Sequence, residues 1–159
     1  MHANVSRVVE AAARAGLAIE VRRFPEGTRT ADDAARAVGC EVGQIVKSLV
    51  FVADDRPVIA LVSGTNRVDV DRLAAAVGAG TALRADGDEV RAATGFAIGG
   101  VPPFGHASET TVLVDRDLER HEVLWAAAGL PDAVFALGPA ALIRVSGGTV
   151  VDLASSPAG

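Results

Sequence analysis

The sequence predicts a single α+β domain: a mixed, strongly curved sheet with helices packed outside it. Three observations predict this. Apolar runs of strand character interleave with amphipathic helical stretches, without the strict βαβ alternation that an all-parallel sheet requires. Two of those runs, 44–53 and 57–63, are separated only by Asp54, Asp55 and Arg56, a hairpin that places antiparallel pairing in the sheet. The chain has 159 residues, 50% of them apolar, with one cysteine. At that length one core buries roughly 68–70% of the surface the unfolded chain exposes, so no disulfide or metal staple is needed.

Taken in order, Val5, Val8, Val9 and Ala12 recur at helical spacing and Gly16 follows as a stop, predicting a first helix over 5–15. Residues 19–24 alternate apolar and charged, a half-buried strand that ends at Pro25 and Gly27. Thr30 with Asp33 resembles a capping box at the head of a helix over 31–38, closed by Gly39. After the hairpin, Asp69 opens a helix to Val77, and 86–93 reads as another that stops before Gly95. A glycine and proline segment, 95–105, precedes a strand at 110–114, a helix over 119–128, a strand at 133–137, a helical turn or two at 139–145 and a last strand at 149–153. Residues 1–154 are expected to form one domain and 155–159 a frayed tail.

Charge and composition exclude several function classes. One cysteine and three dispersed histidines (His2, His106, His121) supply neither a paired-thiolate zinc site nor an HxxxH pair, so no metal and no cofactor is expected. No apolar run reaches the 18 or so residues of a membrane helix, and Arg7, Glu10 and Arg14 interrupt the first stretch, which is therefore no signal peptide. The reading is a cytoplasmic protein. A net charge of −5 argues against coating nucleic acid by bulk charge and leaves room for a local arginine patch.

Of the 15 basic residues, only Lys47 is a lysine. In a chain that uses arginine almost everywhere, this position marks a need for a compact ammonium in place of a planar guanidinium, unless it is merely an edge lysine that discourages aggregation. Lys47, Leu49, Phe51 and Ala53 share one face of their strand and Val46, Ser48, Val50 and Val52 the other. Both faces are apolar, so an ammonium there needs a cleft or an exit at the strand end.

The second feature is the run from Gly95 to His106, GFAIGGVPPFGH. Glycines let a ligand approach the backbone and prolines fix its course without offering an N–H, so donors to a bound oxygen come from Gly99, Gly100, Val101, Phe104 or Gly105. Such a set could form an oxyanion hole or a plain structural corner. His106 closes the loop, and Ser63, at the end of the second hairpin strand, adds a small polar group. Cys40 reads as a packed thiol. Arg22, Arg23, Arg29 and Arg67 are candidates for a basic rim. Asp132 is a site carboxylate or a turn cap.

The lysine of QIVKSLVF (44–51), followed by RAATGFAIGGVPPFG (91–105), resembles the YbaK-type aminoacyl-tRNA deacylases, related to the editing insertion of bacterial prolyl-tRNA synthetases. The similarity runs from about Phe24 to Leu153. It implies a barrel-like curved sheet and a trans-acting editing hydrolase that deacylates mischarged tRNA, of tRNA(Pro) type with a small amino acid. The implied partners are the tRNA acceptor end and prolyl-tRNA synthetase. The resemblance assigns Lys47 to positioning the terminal adenosine and its ester, Gly100 to holding the substrate near the scissile carbonyl, and Gly95 and Gly99 to supporting the loop, with Asp132 as the counterpart of a carboxy-terminal aspartate. The tyrosine of some cysteine-specific members has no counterpart, because the chain has no tyrosine. A competing reading is a non-catalytic module that binds a synthetase or an aminoacyl ligand through the same pocket. A third is a small-molecule ester hydrolase.

Overall fold

The computed structural model describes residues 1–24, 28 and 30–155. The predicted turn at Pro25 and Gly27, Arg29 of the candidate rim, and the tail from 156 onward lie outside the described residues. Ser155, the first residue of the expected tail, is tied down: its N–H donates to the Arg67 carbonyl at 2.9 Å.

Helix α1 (Ala3–Arg14) buries Val5, Val8 and Ala12, the stripe its spacing predicts. Strand β1 (Val21–Arg23) leads to α2 (Ala31–Val38), whose Thr30 hydroxyl accepts the Asp33 N–H while Gly39 closes it in the left-handed region at φ 77°. The shorter carboxylate at 33 makes only the forward half of a capping box. Strands β2 (Ile45–Ala53) and β3 (Arg56–Ser63) form the expected hairpin. Asp54 and Asp55 both take positive φ, 46° and 67°, the conformation that matches a two-residue turn to the strand twist. Helix α3 (Val70–Ala76) is capped by Asp69, and α4 (Gly87–Thr94) by a complete capping box of Asp86 and Glu89. Strand β5 spans Thr111–Asp115, β7 Ala133–Leu137, α5 Pro139–Ser146 and β8 Thr149–Val151.

Two elements depart from the sequence expectation. Ala82–Arg84 forms a short strand, β4, that nothing in its pattern announces. The helix expected over 119–128 is instead a 3-10 turn at Arg116–Arg120 followed by strand β6 at Leu124–Ala127. Alanine favours a helix intrinsically, but Leu124 and Ala126 are buried while Trp125 and Ala127 are half-buried. That period of two follows from insertion between β2 and β7, so tertiary pairing overrides propensity.

The main path of the sheet runs β1-β7-β6-β2-β3-β5-β8, with β4 paired to β2 beside it. Pairs β2·β6, β3·β5 and β5·β8 are parallel and the rest antiparallel, so the sheet is mixed as predicted. It is not closed into a barrel: β1 and β8 are its ends. Both faces are covered. Val46, Val50 and Ile59 join α1, Leu142 of α5 and Phe135 in one core, and Phe51, Ala53 and Ala60 join Leu73 of α3 and Leu153 in the other.

Candidate active site

The β2 strand is central, yet one of its edges is interrupted. Strand β6 pairs with it only at Ile45 and Val46, and β4 only at Phe51 to Ala53. A cleft of about 450 Å³ opens at this split, reached by Lys47, Ser48 and Leu49 from β2, Gly99 and Val101 from the glycine loop, and Thr30 and Asp32 from the head of α2. Trp125, Ala126 and Val134 close it from β6 and β7, and Arg84 from β4.

Lys47 is half-buried, and its Nζ donates to the Asn66 carbonyl at 2.6 Å. Asn66 is itself held: its side-chain amide donates to Asp115 and to Asp117, each at 2.8 Å. Asp115 is 1% exposed and also accepts the Ser63 N–H at 3.1 Å. Burial pulls the Lys47 ammonium below its ordinary range, and Arg84 and Arg67 pull the same way, while Asp115 opposes them. The ammonium is thus fixed at one point with its remaining donors available to the cleft.

The loop opens at Gly95, which ends α4 at φ 82°. Residues Ala97 to Gly100 make a tight turn in which the Gly100 N–H donates to the Ala97 carbonyl at 3.0 Å and Gly99 takes φ 90°, the conformation that favours glycine at this place in a turn. A Cβ on Gly100 would stand 2.9 Å from the Gly129 carbonyl oxygen and 3.0 Å from Leu130 Cα. Its glycine therefore permits a close backbone crossing. The Gly100 N–H is consumed by the turn, whereas among the described residues those of Gly99 and Val101 meet no acceptor.

Of the residues the sequence singles out, Lys47, Gly99 and Val101 come together on the cleft wall, and Gly100 lies directly behind it. The others lie off that wall. Phe104 packs against Phe135 with ring centroids 5.7 Å apart. Gly105 sits against Ala11 at φ 77°. His106 Nε2 meets the Pro102 carbonyl at 2.7 Å, and burial pushes this imidazole below its ordinary value. Ser63 donates its hydroxyl to the Gly43 carbonyl at 2.7 Å, and Asp132 pairs with Arg23 at 3.1 Å. Gly95 is an α4 cap beside Arg7. These six brace the loop and the sheet ends. The Cys40 thiol donates to the Glu41 carbonyl, and burial pushes its pKa up, as a packed thiol requires.

Sequence reasoning missed Ser48, Asp32, Arg84 and Trp125. Ser48 had a signal, as the one small polar residue within an apolar run. Trp125 had none while its segment read as a helix. Its ring carries the Arg22 guanidinium at 4.9 Å from the centroid.

The fold is an open, mixed α+β domain in which a lysine and loop residues with unpaired amides line one cleft at a split in the sheet. The chain belongs to the aminoacyl-tRNA editing domain family, whose model matches residues 25–145. Its class of reaction is aminoacyl-tRNA deacylation. A solved structure described as a "putative trans-editing enzyme for prolyl tRNA synthetase" superposes with a TM-score of 0.93 at 43% identity, over 98% of this chain and 99% of that one. An Enterococcus faecalis protein named "Putative Cys-tRNA(Pro)/Cys-tRNA(Cys) deacylase" is 25% identical over 131 residues, 82% of this chain and 80% of that protein. Proline–tRNA ligase of Limosilactobacillus fermentum is 32% identical over 103 residues, 62% of this chain but only 18% of the ligase. Among the described residues, no helix is long and apolar enough to cross a membrane.

Proposed function

We propose that this editing domain, residues 1–154, acts in trans in the cytoplasm, hydrolysing the ester between a small amino acid and the terminal adenosine of a tRNA(Pro)-type acceptor. The observation that carries this reading is that Lys47, Gly99 and Val101, from segments far apart in the chain, line one cleft. Lys47 anchors a ribose or phosphate oxygen of the acceptor end. The Gly99 and Val101 amides face the ester carbonyl and hold its oxygen as charge develops there, the kind of contact worth roughly 10²–10³ in rate per donor. Water adds to the carbonyl carbon, the bond from that carbon to the ribose oxygen breaks, and the ribose oxygen leaves with a proton. An aminoacyl ester is already activated, so orientation and these donors suffice without a strong nucleophile. Small apolar walls formed by Val46, Val50, Val101 and Ala126 limit side-chain size, and one methylene is worth roughly 1–3 kcal/mol of discrimination.

Net charge −5 makes autonomous tRNA binding weak and strongly salt-dependent, which supports contact with the acceptor end alone, or delivery by prolyl-tRNA synthetase. The test follows release of labelled amino acid from a panel of correctly and incorrectly charged tRNAs. Wild type deacylates a mischarged tRNA(Pro) selectively, and Lys47→Ala loses at least 10²-fold while remaining folded. Absence of turnover on every charged tRNA by folded wild type overturns the reading in favour of a binding module, and equal activity on free amino-acid esters favours a small-molecule hydrolase.

A further inference from the structure

Ser48 lines the cleft, and among the described residues none of its three polar groups is satisfied. Its hydroxyl is the one buried side-chain oxygen or nitrogen there with no hydrogen-bond partner. Its backbone groups follow from the ladder. Ile45 accepts the N–H of Gly64, the residue opposite it on the β3 side, at 2.8 Å, while the Val50 carbonyl accepts the Ala85 N–H at 3.0 Å from the other side. In an antiparallel pair, successive residues turn their N–H and C=O alternately toward and away from the partner. Residues 45, 47 and 49 therefore bond to β3, and 46, 48 and 50 face outward. Val46 is met by β6 and the Val50 carbonyl by Ala85. Ser48 stands between them, where neither β6 nor β4 reaches.

An outward-facing strand residue offers a donor and an acceptor spaced to receive one amino acid, which exchanges two hydrogen bonds with it as a neighbouring strand does. An aminoacyl ester carries the complementary pair: an α-ammonium that donates and a carbonyl that accepts. We propose that Ser48 reads the aminoacyl group of the substrate as a single-residue strand partner, resting on the editing function inferred above. The Ser48 carbonyl accepts from the α-ammonium. Its N–H donates to the ester carbonyl, from the strand side of a cleft whose other wall carries the Gly99 and Val101 amides. Paired residues place their side chains on the same face, about 4.5–5.5 Å apart at Cβ. The substrate side chain thus lies beside the Ser48 hydroxyl, between Val46 and Val50, where a short polar side chain supplies the missing partner.

The test uses amide-linked aminoacyl-adenosine analogues, which do not hydrolyse, with amide hydrogen exchange and chemical shifts read by NMR on the whole chain. In the free protein the Ser48 amide exchanges at least tenfold faster than those of Lys47 and Leu49. The alanyl analogue protects it at least tenfold, and N-acetylation of that analogue, which removes the ammonium, weakens binding at least tenfold. Ser48→Ala keeps the backbone groups, so it binds the alanyl analogue within twofold of wild type and the seryl analogue at least fivefold more weakly. It also melts no lower than wild type, because it deletes an unsatisfied hydroxyl. A Ser48 amide already protected in the free protein, or one left unprotected by a bound analogue, overturns the proposal while turnover of mischarged tRNA leaves the editing function standing. Loss of both turnover and analogue binding in wild type overturns both.

Discussion

Along its β3 side, β2 is paired continuously from Val46 to Ala53, whereas along its other side the ladder stops after Val46 and restarts at Phe51. The same strand, with the same apolar alternation, thus has one edge that holds the fold and one that holds the cleft. The closed edge pairs every β2 residue from Val46 to Ala53 with β3 and buries Ile59, Ala60 and Leu61 completely, at 0% exposure. The split edge leaves Lys47 and Ser48 beside loop amides that meet no acceptor among the described residues. Stability and chemistry are separated by about the width of one strand, so substitutions on the two sides should fail in different ways.

The largest effect belongs to the closed edge. Ile59→Ala removes a fully buried side chain between β2 and β5 and costs about 2–5 kcal/mol, read as a lower denaturation midpoint, while the specific activity of the remaining folded protein stays near wild type. A matching loss of specific activity at full folding would show that the two edges are not separable.

At the split edge, Lys47→Arg preserves charge and strand but replaces a compact ammonium with a wider planar group. Expected is a 10- to 100-fold loss of kcat/KM, about 1.4–2.7 kcal/mol, with an unchanged melting temperature. Full activity in this variant would reduce the single lysine to coincidence. Because burial and two neighbouring arginines lower the Lys47 pKa, its charge is lost at a lower pH than an ordinary lysine's. The alkaline limb of kcat/KM should therefore fall below pH 10.4, the reference value, and disappear in Lys47→Arg.

The smallest effect concerns the loop that faces the split. His106 has a depressed pKa from burial, so the unfolded chain binds its proton more readily than the folded one. Its neutral form is accommodated in full above about pH 6.5, the reference value, and stability declines as pH falls below it. Urea midpoints of wild type against His106→Asn across pH 5–8 check this, since the variant should lose that part of the acid slope.

Much of this was legible in the chain because it depends on local rules. The Thr30, Asp69 and Asp86 caps, the hairpin closed at Asp54 and Asp55, and the two-faced apolar pattern of β2 each follow from residues within a few positions of one another. The lysine and the glycine loop were legible as chemical oddities, and their order and spacing matched a known family. The Gly100 donor was misjudged because a turn bond to Ala97 takes up its N–H. That bond depends on backbone direction, which a glycine-rich sequence leaves open.

By itself, then, the sequence determined most of the elements, the mixed α+β class and the two segments that line the candidate site, since periodicity, capping and turn chemistry act over short separations. Only the tertiary structure decided that Leu124–Ala127 is a strand, and that it leaves β2 after Val46. It alone brought Asn66 and Asp115 beneath Lys47, and left Ser48 facing an open edge. Those outcomes are set by which strands compete for the same row of hydrogen-bonding groups, and that competition is between residues far apart in the chain.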